Sequence, residues 1–190
     1  MNLRFFTAVF STLLLSGASA LAQTSAWTID TNHTQVDFQI RRVPVSNVRG
    51  SFGGITGTVN WNEKDPSKSS VEVVIPTASI STANSTRDAD LKSPNFFNIE
   101  KYPTMTFKST AVSGTSGKLQ IVGDLTLAGV TKSVTLAVDG PTPPTRMGKL
   151  IIGFAATGIL KRSDFNFASK YPTAILGDEI KFTIDAEADK

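Results

Sequence analysis

The residues able to do chemistry in this chain are few and poorly placed for it. His33 is the only histidine and cysteine is absent, so neither a multi-histidine nor a thiolate metal site can be assembled. His33 stands at the entry to an alternating run and reads as a turn residue bonded to backbone. Gly50-Ser-Phe-Gly53-Gly54 has the glycines of a phosphate loop, but no lysine follows it and no helical pattern begins there. No Gly-x-Ser-x-Gly elbow occurs. Asp88 and Asp90 come nearest to a carboxylate pair, yet residues two apart on a helix point to different sides. A hydrolase using both with a divalent ion is thus the weaker alternative, and the chain reads as a non-enzyme without a cofactor or metal. Arg87 and Asp88, as immediate neighbours, do not face each other on a helix. Each therefore needs its own partner, most simply at the rim of a larger structure. Arg162 and Asp164 form a similar pair.

The first 22 residues read as a cleavable leader rather than part of the fold. Arg4 opens it, Ala8 to Leu15 is apolar, and Ala20-Leu-Ala22 is a small-residue cleavage site ahead of Gln23. Residues 23–190 then form a single domain, expected in the periplasm or secreted. Removing Arg4 from a net charge of +3 leaves +2, and with no basic block there is no case for nucleic acid. Export without cysteine leaves the core and the hydrogen-bond ladder to hold the fold.

The elements that must carry these residues are strands. Val36, Phe38 and Ile40 alternate with Gln35, Asp37, Gln39 and Arg41, the period of a half-buried strand. Asn47 to Asn60 continues with Gly50, Gly53, Gly54 and Gly57, which mark bulges or sharp coiling. Val71, Val73 and Ile75 give the next strand. Met105 and Phe107 open another, with Ser113 to Gly117 as its hairpin loop. Leu119 to Leu127 and Val134 to Val138 pair through a tight connection at Ala128-Gly129. Leu150 to Phe154 and Ile180 to Ile184 follow, separated by a helical turn at Lys161 to Phe165. About eight strands, mostly hairpin-linked and without βαβ alternation, predict an all-β antiparallel sheet. An eight-stranded barrel or a sandwich satisfies the pattern. Polar outward faces, including Lys181 and Asp185, argue against a barrel that spans lipid.

One stretch breaks the strand pattern. Ser85 and Asp88 make a weak capping box, Arg87 to Lys92 suits a helix, and Ser93 before Pro94 ends it. Phe96 and Phe97 follow directly, so the insertion reads as a plug or lid. Phenylalanine, with 12 residues against two each of tryptophan and tyrosine, exceeds what a filled eight-stranded barrel needs, which predicts an apolar slot.

Thr82, Arg87-Asp-Ala-Asp-Leu91-Lys-Ser-Pro-Asn-Phe96-Phe97 and Tyr102-Pro-Thr-Met-Thr-Phe107 resemble the signature of the YceI-like family. Gly123 to Lys132 and Lys161-Arg-Ser-Asp-Phe165 resemble it further, over roughly Trp27 to Ala188. The resemblance implies a lipocalin-like eight-stranded barrel with a short helical insertion that binds a polyisoprenoid, and so selects the barrel over the sandwich. The expected partner is an isoprenoid quinone, a polyprenyl lipid or another long amphiphile, held for transport, storage or sequestration. Its tail would meet Phe38, Ile40, Phe52, Met105, Phe107, Leu125 and Phe154, under a lid of Phe96 and Phe97. Arg42, Arg87, Asp88 and Arg162 are the head-group or rim candidates. Arg42 departs from the family, which often has histidine there; a permanent charge suits an anionic head group but not a pH-linked role. A stress-related interaction protein with a filled barrel is one alternative; given the implied ligand, the hydrolase at Asp88 and Asp90 becomes a metal-dependent isoprenoid-processing enzyme, the weaker one. Transient membrane contact and a homodimer stay open.

Overall fold

Alternating side chains fold into strands here because each apolar set needs one common interior. The computed structural model describes residues 24–190; the leader proposed for residues 1–22 lies outside them. Five strands come first: β1 (Ser25–Ile29), β2 (Gln35–Arg42), β3 (Ser46–Phe52), β4 (Thr56–Trp61) and β5 (Ser70–Pro76). Helix α1 (Ser85–Lys92) interrupts them. Strands β6 (Thr104–Thr115), β7 (Lys118–Leu127), β8 (Val130–Asp139), the short β9 (Thr145–Met147), β10 (Lys149–Lys161) and β11 (Leu176–Asp189) complete the order.

All pairings are antiparallel, and the sheet closes on itself where β10 runs beside β11 from Ile151↔Asp189 to Lys161↔Glu179. The closed ring has eight positions. Two are shared: β1 and β2 both pair with β11, at Thr28↔Asp189 and Val36↔Ile184, while β4 pairs with β1 and β3 with β2. The expected eight-stranded barrel with a short helical insertion is what forms.

The shared positions come from two local breaks. An Asx turn, with the Asn32 N–H on the Asp30 carboxylate at 2.8 Å, separates β1 from β2. Gly54, at φ +68°, bends the chain between β3 and β4, so the run expected over Asn47 to Asn60 is two strands. Its glycines do different work: Gly50 keeps regular register opposite Phe38. The loop expected over Ser113 to Gly117 is likewise mostly ladder, since Thr115 pairs with Lys118 and Gly114 with Leu119.

Inward residues at one end of the ring fill it. Trp27, Trp61, Leu119, Ile152 and Ala188 are all buried there. The other end is spanned by α1, the segment after it and the loop before β11. Helix α1 buries none of its own residues, so the barrel, not an apolar helix face, must hold it in place.

Candidate functional site

Between the filled end and the helix, the barrel encloses a cavity of about 740 Å³ walled almost entirely by hydrocarbon, within the roughly 300–1,000 Å³ typical of small-molecule sites. Phe38, Ile40, Phe52, Phe96, Phe97, Met105, Phe107, Leu125 and Phe154 all line it. The structure therefore brings every sequence-predicted tail residue to one surface. Phe5, Phe6 and Phe10 lie outside the described residues; of the other phenylalanines only Phe165 is not in the wall.

The cavity stays open because several rings rest on glycine. A Cβ added at Gly50 would lie 2.6 Å from Phe38 Cζ, at Gly123 2.4 Å from Phe107 Cζ, and at Gly158 2.3 Å from Phe182 Cζ. Phe38 and Phe182 sit directly opposite their glycines across the ladder. Any side chain at those glycines would push the ring away from the wall.

The lid is aromatic. Phe52 meets Phe97 edge-on at 5.5 Å, Phe97 lies 4.7 Å from Phe167, and Phe96 stacks on Tyr171 at 5.3 Å. Phe96 and Phe97 thus come from the segment after α1, and Phe167 and Tyr171 from the loop before β11. The Lys170 ammonium donates to the Asn95 side-chain carbonyl and ties the two together. Sequence reasoning missed Phe167, Tyr171, Phe182 and Ile184 as lining residues. The alternation of β11 was the available signal for the last two; nothing local signalled the loop.

Thr82 anchors the helical insertion. The Asp88 carboxylate accepts from both the backbone N–H and the hydroxyl of Thr82, at 2.8 and 2.5 Å. Arg87 donates from Nε to the same hydroxyl at 2.7 Å and from a terminal nitrogen to the Thr82 carbonyl at 2.8 Å. Arg87 and Asp88 therefore share one buried residue instead of having separate partners. Asn84, not Ser85, caps the helix, accepting from the Arg87 N–H at 2.9 Å. Ser81 continues the anchor, exchanging two backbone hydrogen bonds with Ser51 of β3. Asp88 takes no part in the cavity wall, whereas Asp90 does, so the two carboxylates face apart as their spacing predicts.

The exposed members of the wall, Arg42, Asn84, Thr86, Asp90 and Ile175, mark where the cavity opens. Arg42 and Arg87 both line that opening. Arg162 does not, which corrects its reading as a rim or head-group residue. It is only 3% exposed, and its donors are consumed by carbonyls: Nε by Gly177, one terminal nitrogen by Phe167 and Ala168, the other by Tyr171 and Leu176. The guanidinium organises the loop that carries the lid.

His33 is also placed more specifically than expected. Its Nδ1 lies 3.0 Å from the Asp30 carboxylate and 3.9 Å from that of Glu187. The hydrogen bond to Asp30 raises the imidazole pKa above its ordinary value and lowers that of Asp30. This trio, with His33 exposed and both carboxylates half-buried, is the candidate cation cluster among the described residues. It lies at the turn between β1 and β2, outside the cavity wall.

A closed eight-stranded barrel, filled at one end and capped by an aromatic lid at the other around an apolar cavity, defines a cavity-enclosing β-barrel protein. The YceI-like domain matches residues 27–188, and the chain belongs to that family. Protein YceI of Escherichia coli O157:H7 is 37% identical over 182 residues, covering 94% of this chain and 93% of that one. The crystal structure of the Campylobacter jejuni YCEI protein superposes with a TM-score of 0.72 at 35% identity, over 80% of this chain and 90% of that one. A polyisoprenoid binding domain from Saccharophagus degradans, at 12% identity, shares the fold with a TM-score of 0.65, over 86% and 97% of the two chains.

Proposed function

We propose that this chain is a binding protein that encloses the tail of a long amphiphile, an isoprenoid quinone or polyprenyl lipid, for transport, storage or sequestration. The observation that carries this reading is the apolar cavity of about 740 Å³ under a two-part aromatic lid. Each CH₂ moved into it from water is worth about 0.8 kcal/mol, so two prenyl units already supply several kcal/mol. A tail drawn from a membrane gains less, and fit and head-group contact then decide. Arg42 and Arg87 at the opening suit an anionic or strongly polar head. The polyisoprenoid binding named for the Saccharophagus degradans domain supports the choice of ligand class.

A binding role also suits what the cavity wall contains. Asp90 is the one carboxylate among the lining residues, and the hydrolase alternative needs Asp88, which Thr82 occupies. A filled barrel acting only through protein partners fits the open cavity poorly. On this reading the activity belongs in the periplasm or outside the cell, in keeping with the leader read in residues 1–22, and the polar outward residues Gln35, Arg41, Lys181 and Asp185 suit water around the wall. Fractionation should recover the mature chain with soluble exported material.

Organic extraction of protein purified without refolding, followed by mass spectrometry, tests the reading. A co-purifying prenyl lipid is the expected result. Repeatedly empty extracts, together with no uptake of added prenyl lipids, would overturn it.

A further inference from the structure

The hairpin joining β2 to β3 ends in an apolar tip that the barrel does not cover. Val45 is 81% exposed and Val43 38%, and Ile175, from the loop before β11, is 50% exposed. Val43 and Ile175 are neighbours, because the Val43 N–H donates to the Ile175 carbonyl at 2.8 Å. Of the five large apolar side chains left most exposed, these three share one edge; Met147 and Ile159 stand on β9 and β10. The tip also keeps its valine at a cost. Val43 sits at φ +42°, where a β-branched residue is rare and glycine or asparagine would be unstrained.

The same edge is basic. Arg41, Arg42 and Arg49 belong to this hairpin, and no acidic residue occurs between Asp37 and Glu63. Among the described residues, none of the ion pairs involves Arg42 or Arg49. Arg42 and Ile175 are also members of the cavity wall at its opening. Apolar tip, arginine collar and cavity entrance therefore coincide.

This combination fits an anionic bilayer. Valine and isoleucine enter the boundary between head groups and acyl chains while guanidinium groups meet lipid phosphates. An entrance pressed against the membrane lets a tail pass into the barrel without crossing water.

We propose that the β2–β3 tip and Ile175 dock the barrel, opening downward, on an anionic phospholipid surface, and that this edge is the portal for the tail. The inference rests on the reading of the cavity as a lipid-tail site. Flotation of the mature chain with vesicles tests it, using phosphatidylcholine alone and an equimolar phosphatidylcholine–phosphatidylglycerol mixture. Binding to the mixed vesicles, weakened by salt, is expected. The Arg41→Gln, Arg42→Gln double variant should bind them roughly 25-fold more weakly, about five-fold per arginine. Val45→Asp should weaken binding about tenfold or more while the thermal melt stays unchanged, because the side chain is exposed.

Uptake of a prenyl lipid from detergent micelles, measured in parallel, separates this proposal from the one beneath it. If uptake is normal but the chain ignores mixed vesicles, or if the variants bind them as well as the parent, docking is wrong and the cavity reading stands. Vesicle binding that falls in both variants while the cavity takes up no lipid supports docking but removes the lipid-tail reading and, with it, the portal. Equal binding to neutral and mixed vesicles overturns the proposal, as does a tip that captures a defined soluble protein in place of vesicles.

Discussion

At the scale of single residues, the largest gap between sequence and structure is Arg162. An arginine in a polar turn reads as a rim charge, and no local pattern says that five carbonyls from residues 167–177 converge on it. Their convergence makes it the hub of the lid loop. Arg162→Ala should lower unfolding free energy by about 3–5 kcal/mol, because buried acceptors lose their charged donors together. Arg162→Lys should recover little, since an ammonium cannot reproduce the planar fork; denaturant titration of both variants checks this. Gly158 bears directly on the cavity. Gly158→Ala should force Phe182 inward, cost about 1–3 kcal/mol and reduce prenyl-lipid occupancy more than it reduces folded yield, as measured by extraction. His33 gives a pH signature. Its pKa is raised in the fold, so the stabilisation it provides is complete below its ordinary 6.5 and disappears as pH rises through the higher folded value. Asp30 works in the other direction: its contribution is present above 3.8 and is lost as pH falls through its lowered value. The thermal midpoint of the parent should therefore decline through neutral pH, and that decline should flatten in His33→Gln.

At the scale of elements, strands were legible and their junctions were not. Alternation in β2, β6 and β7 reports a half-buried face directly, which is why Phe38, Ile40, Met105, Phe107 and Leu125 could be named from sequence as cavity-lining, whereas Phe182 and Ile184 of β11 carried the same signal and were missed. Breaks depend on backbone geometry that composition only hints at. A glycine at 54 that bends the chain and a glycine at 50 that accommodates a ring look the same in the sequence. The helix was visible from its stop at Ser93-Pro94, but its anchor was not: Thr82 stands out only as part of the family signature, and nothing local says that Arg87 and Asp88 both turn back to it. That anchor is the element's weak point. In Thr82→Val the Asp88 and Arg87 side chains lose the hydroxyl they share. We expect a loss of about 1–3 kcal/mol and a faster release of bound prenyl lipid, with the barrel's far-ultraviolet circular dichroism retained. Stopped-flow displacement of a fluorescent prenyl analogue measures the release.

At the scale of the whole molecule, sequence periodicity established an antiparallel sheet but not its closure, because a sandwich and a barrel share the same alternation. Family resemblance selected the barrel, and the pairing of β10 with β11 is the feature that realises it. This last strand also pairs with β1 and β2, so contacts such as Glu187 to Thr34 span 153 positions. Such long-range pairing has a kinetic consequence. Chain entropy must be spent on the most distant contacts before the ring can form, which places folding in the millisecond-to-second range of all-β domains. While β11 is missing, β1, β2 and β10 present open edges to other chains. A chain lacking residues 176–190 should aggregate instead of forming a smaller barrel, as light scattering during dilution from denaturant would show. During synthesis, no cavity exists until β11 is made, so nothing can be enclosed while the chain is still emerging.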